Sequence, residues 1–207
     1  MNILTDLDEY GVQYSFNHRT YNLNKLKFII VGDNPGITEF NENKYFCGES
    51  GKTLQWHFEY NRLCSDFYEE CMLFNKTILH SAKTQCLKET RSLIGDKLFS
   101  ELQVLSVREI YSTYIKYNVP ILIFGKSELH PLGLFSAFWR EIAKYKDMYD
   151  KVFLYSHPSN GWFEKEWDLY REKRKPESPM ELLLNIGRVN MELISCRTEP
   201  LYLNENK

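Results

Sequence analysis

Four short apolar runs stand out along a chain whose other segments mix apolar and polar residues. Each run is rich in β-branched or aromatic side chains and nearly free of charge, which is typical of parallel strands covered on both faces. The runs lie at residues 26–31 (LKFIIV), 71–75 (CMLFN), 120–125 (PILIFG) and 152–156 (VFLYS). The pattern therefore predicts four buried strands.

Longer segments with helical patterning lie between and after these runs. Helices are predicted over residues 51–70, 106–117, 132–146, 163–171 and 179–194. Ser178 and Pro179, with Glu181 after them, form a typical helix start. Alternating strands and helices predict an α/β fold, a three-layer α/β/α sandwich with a central four-stranded parallel sheet. No repeat, low-complexity stretch or linker interrupts residues 1–207, so we expect one domain.

The composition fits a globular intracellular protein. Of the 207 residues 43% are hydrophobic, enough to bury a core without disulfides or metals. The five cysteines are scattered and form no Cys-x-x-Cys pair, which predicts reduced thiols. The polar start MNILTDLDEYG is no signal sequence, and no apolar run reaches the roughly 18 residues of a membrane span. We expect a cytoplasmic (nucleoid-associated) or nuclear protein with no membrane partner.

The net charge argues mildly against a protein that coats nucleic acid. It is -2 with a pI of about 6.2, whereas such proteins are usually basic. A local basic patch is still compatible with this balance. The one basic cluster, residues 171–175 (REKRK), fits either solvated surface or phosphate contacts. Aromatic residues reach 15%, which fits either an aromatic core or a base-stacking surface.

Compact polar segments follow all four predicted strands. They are GDNPG at residues 32–36, NKT at 75–77, GKS at 125–127 and HPSNGW at 157–162. Because ligands of open α/β sheets bind beyond the carboxyl ends of the strands, these segments are expected to converge on one site.

The polar segments resemble motifs of the uracil-DNA glycosylase superfamily. GDNPG after a first strand and HPS after a last one are typical of it. Residues 45–54 (YFCGESGKTL) resemble the P-F-V-G-x-A-G-x-L-L segment of the family-four enzymes, and CMLFN resembles the strand that ends in the base-reading asparagine. The resemblance implies a monofunctional DNA glycosylase that flips out uracil or a 5-substituted uracil, hydrolyses its N-glycosidic bond and leaves an abasic site for base excision repair.

The resemblance implies three catalytic residues: Asp33, Asn34 and His157. Asp33 takes the place of the acidic residue in family-four G-E-A-P-G, and Asn34 that of the asparagine in the mismatch-specific and single-strand-selective patterns G-I-N-P-G and G-M-N-P-G. A carboxylate stabilises an oxocarbenium-like state and orients water, so we expect Asp33 to act with Asn34 assisting. His157 is expected to contact O2 of the leaving base. The residues alone also fit an ordinary turn and a packed histidine.

The substrate-binding and wedge residues follow from the same resemblance. The substrate-binding positions are Gly32, Pro35, Gly36, Phe46, Asn75 and Ser159, and the DNA-wedge positions are Asn160 and Trp162. Phe46 is expected to stack on the flipped base, Asn75 to pair with N3–H and O4, and Ser159 to grip phosphate. Structural alternatives are a core role for Phe46, a sheet-edge role for Asn75, and inward packing of Trp162 and Phe163.

Two departures from the family refine the prediction. Gly36 stands where the strictest uracil enzymes have a tyrosine that blocks a 5-methyl group, which predicts acceptance of 5-hydroxymethyluracil. The amino-terminal Cys-x-x-Cys of the family-four iron–sulfur cluster is missing, so we expect neither cofactor nor metal. Lys76 is the nearest candidate for a Schiff-base lysine but is not convincing. We expect a monomer whose partner is DNA with a damaged or deaminated base.

Three other functions compete with this prediction. They are a glycosylase for another modified base, a non-catalytic nucleic-acid-binding relative, and a nucleotide-binding α/β domain outside the superfamily. The joint presence of Asp33, Asn75 and His157 favours catalysis. Residues 48–53 (GESGKT) end in Gly-Lys-Thr, but their spacing and the lack of a preceding strand argue against a phosphate-binding loop.

Overall fold

The computed structural model describes residues 3–174 and 178–202, apart from the side chains of residues 160, 174 and 195–202. Its centre is a four-stranded sheet of β1 (Phe28–Gly32), β2 (Cys71–Asn75), β3 (Ile121–Phe124) and β4 (Val152–Tyr155). The strands run parallel in the order β2-β1-β3-β4. The prediction of a central four-stranded parallel sheet is therefore confirmed.

Helices connect the strands and cover the sheet. They are α1 (Ile3–Glu9), α2 (Ile37–Glu42), α3 (Glu49–Tyr60), α4 (Phe67–Glu70), α5 (Leu87–Tyr117), α6 (Ser136–Ile142), α7 (Lys146–Tyr149), α8 (Trp162–Arg174) and α9 (Pro179–Tyr202). The side chain of Ser178 accepts the Glu181 N–H at 3.1 Å, so α9 begins with the predicted cap.

Two apolar clusters lie on opposite faces of the sheet. Phe28 and Ile30 of β1 belong to the cluster that includes residues of α3, α4 and α8, whereas Ile29 and Val31 belong to the cluster that includes α5 and α6. Successive strand residues point to opposite faces, so an unbroken apolar run is buried on both sides. The result is consistent with the predicted three-layer α/β/α sandwich.

The helices differ from the sequence prediction where the chain turns sharply. The helix expected over residues 51–70 ends at Tyr60, since Arg62 takes a left-handed backbone with φ 56. It resumes as α4 after Asp66, whose carboxylate accepts the Tyr68 and Glu69 N–H groups at 2.9 and 3.0 Å. The helix predicted over residues 132–146 is also shorter than expected, because α6 begins at Ser136 and ends at Ile142.

Helix α5 is longer than predicted, because only its carboxyl-terminal part, residues 106–117, was expected to be helical. It begins at Leu87 and is bent at Gly95, which has φ 82 and ψ 155. The bend interrupts the apolar periodicity, which explains why the first part was not recognised. Its first turn directly follows Thr84, a residue of the site described below.

Candidate active site

The carboxyl ends of the four parallel strands lie along one edge of the sheet. The register pairs Gly32 with Asn75 and Phe124 with Tyr155, so neighbouring strands end side by side. The polar segments that begin at residues 32, 75, 125 and 157 therefore start from the same edge, as expected from the order of strands and helices.

The Asp33 carboxylate is tightly held at the end of β1. Asp33 is 8% exposed. Its Oδ1 accepts a hydrogen bond from Lys76 Nζ, and its Oδ2 accepts one from Thr84 Oγ1 at 3.3 Å. A Cβ on Gly125 would lie 2.8 Å from both Cγ and Oδ2 of Asp33, so only glycine leaves room for the carboxylate. Three neighbours thus fix its position.

Lys76, the partner of Asp33, is completely buried at 0% exposure. Its ammonium group also donates to the carbonyl oxygens of Phe124 and, at 3.4 Å, Gly125. Burial lowers the pKa of Lys76, whereas the Asp33 carboxylate acts to raise it. From the sequence, Lys76 was discussed only as a candidate nucleophile. Its position directly after the strand-end residue Asn75 could have indicated a place in the site, but lysines are rarely buried.

The Asn34 side chain is occupied in fastening its own loop. Its Nδ2 donates to the carbonyl oxygens of Pro35 at 3.1 Å and Ser81 at 3.0 Å. Its Oδ1 accepts from Thr84 at 3.1 Å. The Asn34 amide is therefore engaged within its loop, as the Asp33 carboxylate is engaged by Lys76 and Thr84.

Asn75 and Phe46 converge on the bare Cα of Gly32. A Cβ on Gly32 would lie 2.5 Å from Asn75 Oδ1 and 3.0 Å from Phe46 Cζ. Asn75 is 5% exposed, and its Nδ2 finds no hydrogen-bond partner within the described part of the chain. A buried amide donor is normally paired, so this group is free for a ligand. An aromatic ring and an unpaired amide therefore lie together.

Glu39 links the turn after β1 to Phe46, a connection that the sequence prediction missed. Its carboxylate accepts the Gly36 N–H at 2.7 Å and also the Phe46 N–H. Phe46 has a left-handed backbone with φ 58, and its carbonyl accepts the Tyr68 hydroxyl at 2.7 Å. Burial raises the pKa of Glu39, although the two N–H groups oppose this effect. These bonds hold a bulky residue in a conformation that it rarely adopts.

His157 follows β4 and is oriented by Ser159. The His157 Nδ1 accepts the Ser159 N–H at 3.0 Å and lies 2.8 Å from the Ser159 Oγ. Since a backbone N–H can only donate, Nδ1 carries no proton and the neutral ring has its proton on Nε2. Burial lowers the pKa of His157, and the nearby charges of Asp33 and Lys76 act in opposite directions. The ring is therefore a neutral donor through Nε2.

Of the two predicted wedge residues, Trp162 lies at the surface, whereas its neighbour Phe163 lies in the core. Trp162 begins α8 with its ring 58% exposed, and the ammonium of Lys165 lies 4.8 Å from the ring centre. Phe163 is buried and packs against His57 at 4.8 Å between ring centres. Trp162 thus stays available at the surface, while the inward alternative holds for Phe163. The side chain of Asn160 lies outside the described residues.

A cleft of about 370 Å³ with three basic side chains opens between the start of α5 and the loop after β3. It is lined by Lys88, Arg91, Ser92, Glu128, His130, Leu132 and Leu134. Its α5 side begins just after Thr84, the residue bonded to Asp33. Lys88 and Arg91 outnumber Glu128 in the lining, although Arg91 also pairs with Asp96 at 2.6 Å, so the cleft carries a small excess of positive charge.

Neither a metal cluster nor a membrane-spanning helix occurs among the described residues. No group of three or more His, Cys, Asp or Glu side chains is placed to hold a metal ion there. In the same part of the chain, no helix combines the length and the apolar character needed to span a bilayer.

Comparison with known proteins adds no further assignment. The chain matches no protein-family model and no curated protein sequence.

Proposed function

We propose that the chain is a monofunctional DNA glycosylase of the uracil-DNA glycosylase type, which hydrolyses the N-glycosidic bond of uracil or a 5-substituted uracil. The observation that carries the proposal is the unpaired, buried amide of Asn75 beside the Phe46 ring, at the sheet edge that also holds Asp33 and His157. Together these groups supply recognition and chemistry for one flipped base.

Recognition of the base falls to Asn75 and Phe46. A carboxamide presents one acceptor and two donors, which complements the N3–H and O4 of uracil. The Phe46 ring offers a stacking surface, and such stacking contributes about 1–3 kcal/mol per base. Since Asn75 and Phe46 are 5% and 6% exposed, a base that contacts both side chains would be largely shielded from water. This shielding strengthens the hydrogen bonds that distinguish one base from another.

The chemistry falls to Asp33 and His157. Breaking the bond leaves positive charge on the sugar and negative charge on the base. The Asp33 carboxylate stabilises the sugar cation and orients the attacking water, while the Nε2–H of neutral His157 donates to O2 of the departing base. Ser159 orients His157, in addition to the phosphate contact expected from the resemblance.

Contacts with the DNA backbone fit the basic cleft and the exposed Trp162. Lys88, Arg91 and His130 line the cleft beside the site, where they are suited to phosphate groups. A bulky exposed ring is suited to filling the gap that a flipped base leaves in the stack.

A strand-nicking assay tests the proposal. Labelled oligonucleotides carry one uracil, 5-hydroxymethyluracil or hypoxanthine, single-stranded or paired, and are treated with hot alkali after incubation. We expect alkali-dependent cleavage of a uracil substrate, reduced about 10²–10⁴-fold in Asp33→Ala and His157→Ala. Matched controls are Asp150→Ala and His18→Ala, which change exposed residues of the same types.

Each outcome of this assay has a definite meaning. Cleavage lost in the two site variants but kept in both controls supports a glycosylase at this site. Cleavage of hypoxanthine alone would indicate a glycosylase for another base. Absence of cleavage with DNA binding intact would overturn the catalytic proposal in favour of a binding protein.

A further inference from the structure

The Lys76 side chain joins the ends of three adjacent strands. Lys76 follows β2, Asp33 follows β1, and Phe124 ends β3, so the side chain spans the edge that carries the candidate catalytic groups. Its ammonium has three acceptors, and all three lie at this edge. The three N–H donors of a lysine can therefore all be satisfied without water.

Stability alone does not explain why the Lys76–Asp33 ion pair is buried. Withdrawing an ammonium and a carboxylate from water costs much of what their attraction returns, so an apolar pair of similar size is often equally stable. Lys76 is 0% exposed and Asp33 is 8% exposed, which makes the cost substantial here. The same pair lies at the edge where the proposed reaction needs a negatively charged oxygen.

We propose that Lys76 is a positioning residue that fixes the orientation of the Asp33 carboxylate for catalysis. This inference rests on the proposed function. The ammonium occupies Oδ1, Thr84 approaches Oδ2, and the bare Cα of Gly125 lets the carboxylate lie flat against the end of β3. The attacking water is then oriented by a carboxylate that cannot rotate away.

The Lys76–Asp33 ion pair also acts on the pKa of His157. Burial is the main cause that lowers the pKa of His157; among the nearby charges, Asp33 acts to raise this pKa and Lys76 acts to lower it. Glu128, in the loop after β3, is the other charged group that acts on Lys76. Removing the ammonium takes away a charge that lowers the pKa of His157 and leaves the Asp33 charge that raises it, so protonation of His157 is favoured.

A nucleophilic role for Lys76 fits the geometry less well. Attack on the sugar requires an unprotonated amine with an open approach, whereas this nitrogen is enclosed and bonded to a carboxylate and two carbonyl oxygens. Borohydride trapping distinguishes the roles, because it captures a Schiff base as a covalent protein–DNA adduct. We expect no adduct, and an adduct lost in Lys76→Met would overturn the positioning role.

The pH profile of base release tests the proposal. Single-turnover rates on a uracil oligonucleotide are measured between pH 4.5 and 8.5 for the wild type, Lys76→Met and Lys126→Met. Lys126 is the control because it also pairs with a carboxylate, Glu166, at the same sheet edge. We expect the pH at which the rate falls on the acidic side to rise in Lys76→Met, because the ammonium that acts to lower the pKa of His157 is then missing, and to stay unchanged in Lys126→Met. If the rate falls at the same acidic pH in all three proteins, the proposal is overturned.

A stability cycle decides the question independently of activity. Urea midpoints at pH 8 and pH 5 are compared for the wild type, Asp33→Asn, Lys76→Met and the double variant. We expect the double variant to be more stable than the two single losses predict, because neither charge is then left buried alone. Additive losses would overturn the pairing.

If no protein releases uracil, the proposed function fails, while the cycle still shows whether Lys76 and Asp33 act as a unit. If Lys76→Met does not fold, the double variant supplies the comparison, and a double variant that is equally unfolded overturns the proposal in favour of a purely structural lysine.

Discussion

Replacing Gly125 with alanine isolates the space that the Asp33 carboxylate needs. Gly125 has a left-handed backbone with φ 81, which costs an alanine about 1–2 kcal/mol. Its new Cβ would also lie 2.8 Å from two atoms of the carboxylate, and overpacking of this kind costs about 1–3 kcal/mol. Restriction of the unfolded chain returns about 0.4–1 kcal/mol.

Gly11 offers a matched control for the backbone contribution. It has φ 65, also left-handed, and no heavy atom lies within 4 Å of the position of an added Cβ. Gly11→Ala therefore carries the backbone cost and the unfolded-state effect without the collision. The difference between the two variants should be the overpacking contribution alone, about 1–3 kcal/mol in the free energy of unfolding.

Urea unfolding of both variants measures this difference, and the strand-nicking assay measures its effect on the site. We expect Gly125→Ala to be the less stable protein and to release uracil more slowly, because its Asp33 is displaced. Gly11→Ala should release uracil at the wild-type rate. Equal losses of stability would refute the inference that the carboxylate lies against Gly125.

Three further predictions concern recognition and pH. Asn75→Ala should slow uracil release by about 10- to 100-fold in single-turnover assays, because hydrogen bonds worth about 1.5–3 kcal/mol are lost. Gly36→Tyr should lower cleavage of 5-hydroxymethyluracil relative to uracil at least about tenfold in competition, by filling the space beside the base; a Cβ at Gly36 meets only Glu39 Oε2, at 3.5 Å. Burial lowers the pKa of His57 from 6.5 to about 4, so the unfolded chain binds a proton below pH 6.5 that the folded chain does not, and stability falls as the pH drops toward 4. His57→Phe should abolish a loss of about 2 kcal/mol between pH 7.5 and pH 5, measured by urea unfolding.

Each of these predictions has an outcome that contradicts it. An unchanged rate in Asn75→Ala would show that the unpaired amide does not read the base. An unchanged preference in Gly36→Tyr would place the 5-position of the base elsewhere. Identical pH dependence in His57→Phe and the wild type would mean that the buried imidazole does not titrate in this window. Gly48→Ala serves as a control for Gly36→Tyr, since Gly48 has a similar backbone and a Cβ there would only reach Thr38, at 3.9 Å.

The sheet and the edge that carries the candidate site were predictable because they depend on apolar runs and chain order. Four runs gave four parallel strands, and parallel strands place the residues that follow them at one edge. The first part of α5 was not predictable in this way, because the bend at Gly95 breaks its periodicity.

The contacts within the site depend on information that a sequence pattern does not contain. Lys76 and Glu39 carry charges that normally face water, yet both turn inward and bind groups at the site. Their burial is decided by the acceptors and donors that the fold brings within reach, from strands and turns distant in the chain. Asn34 likewise fits a water-positioning role by its residue type, but its neighbours engage it in the loop.

The Glu39 carboxylate links the turn after β1 to the backbone of Phe46, so the two are held in a fixed relation. One carboxylate accepts N–H groups from Gly36 and Phe46, and the helix between them, α2, acts as a spacer of fixed length. An insertion or deletion within α2 would therefore displace both the turn after β1 and the backbone of Phe46. Variants designed for a larger base should keep the length of α2 and change the residues at its two ends together.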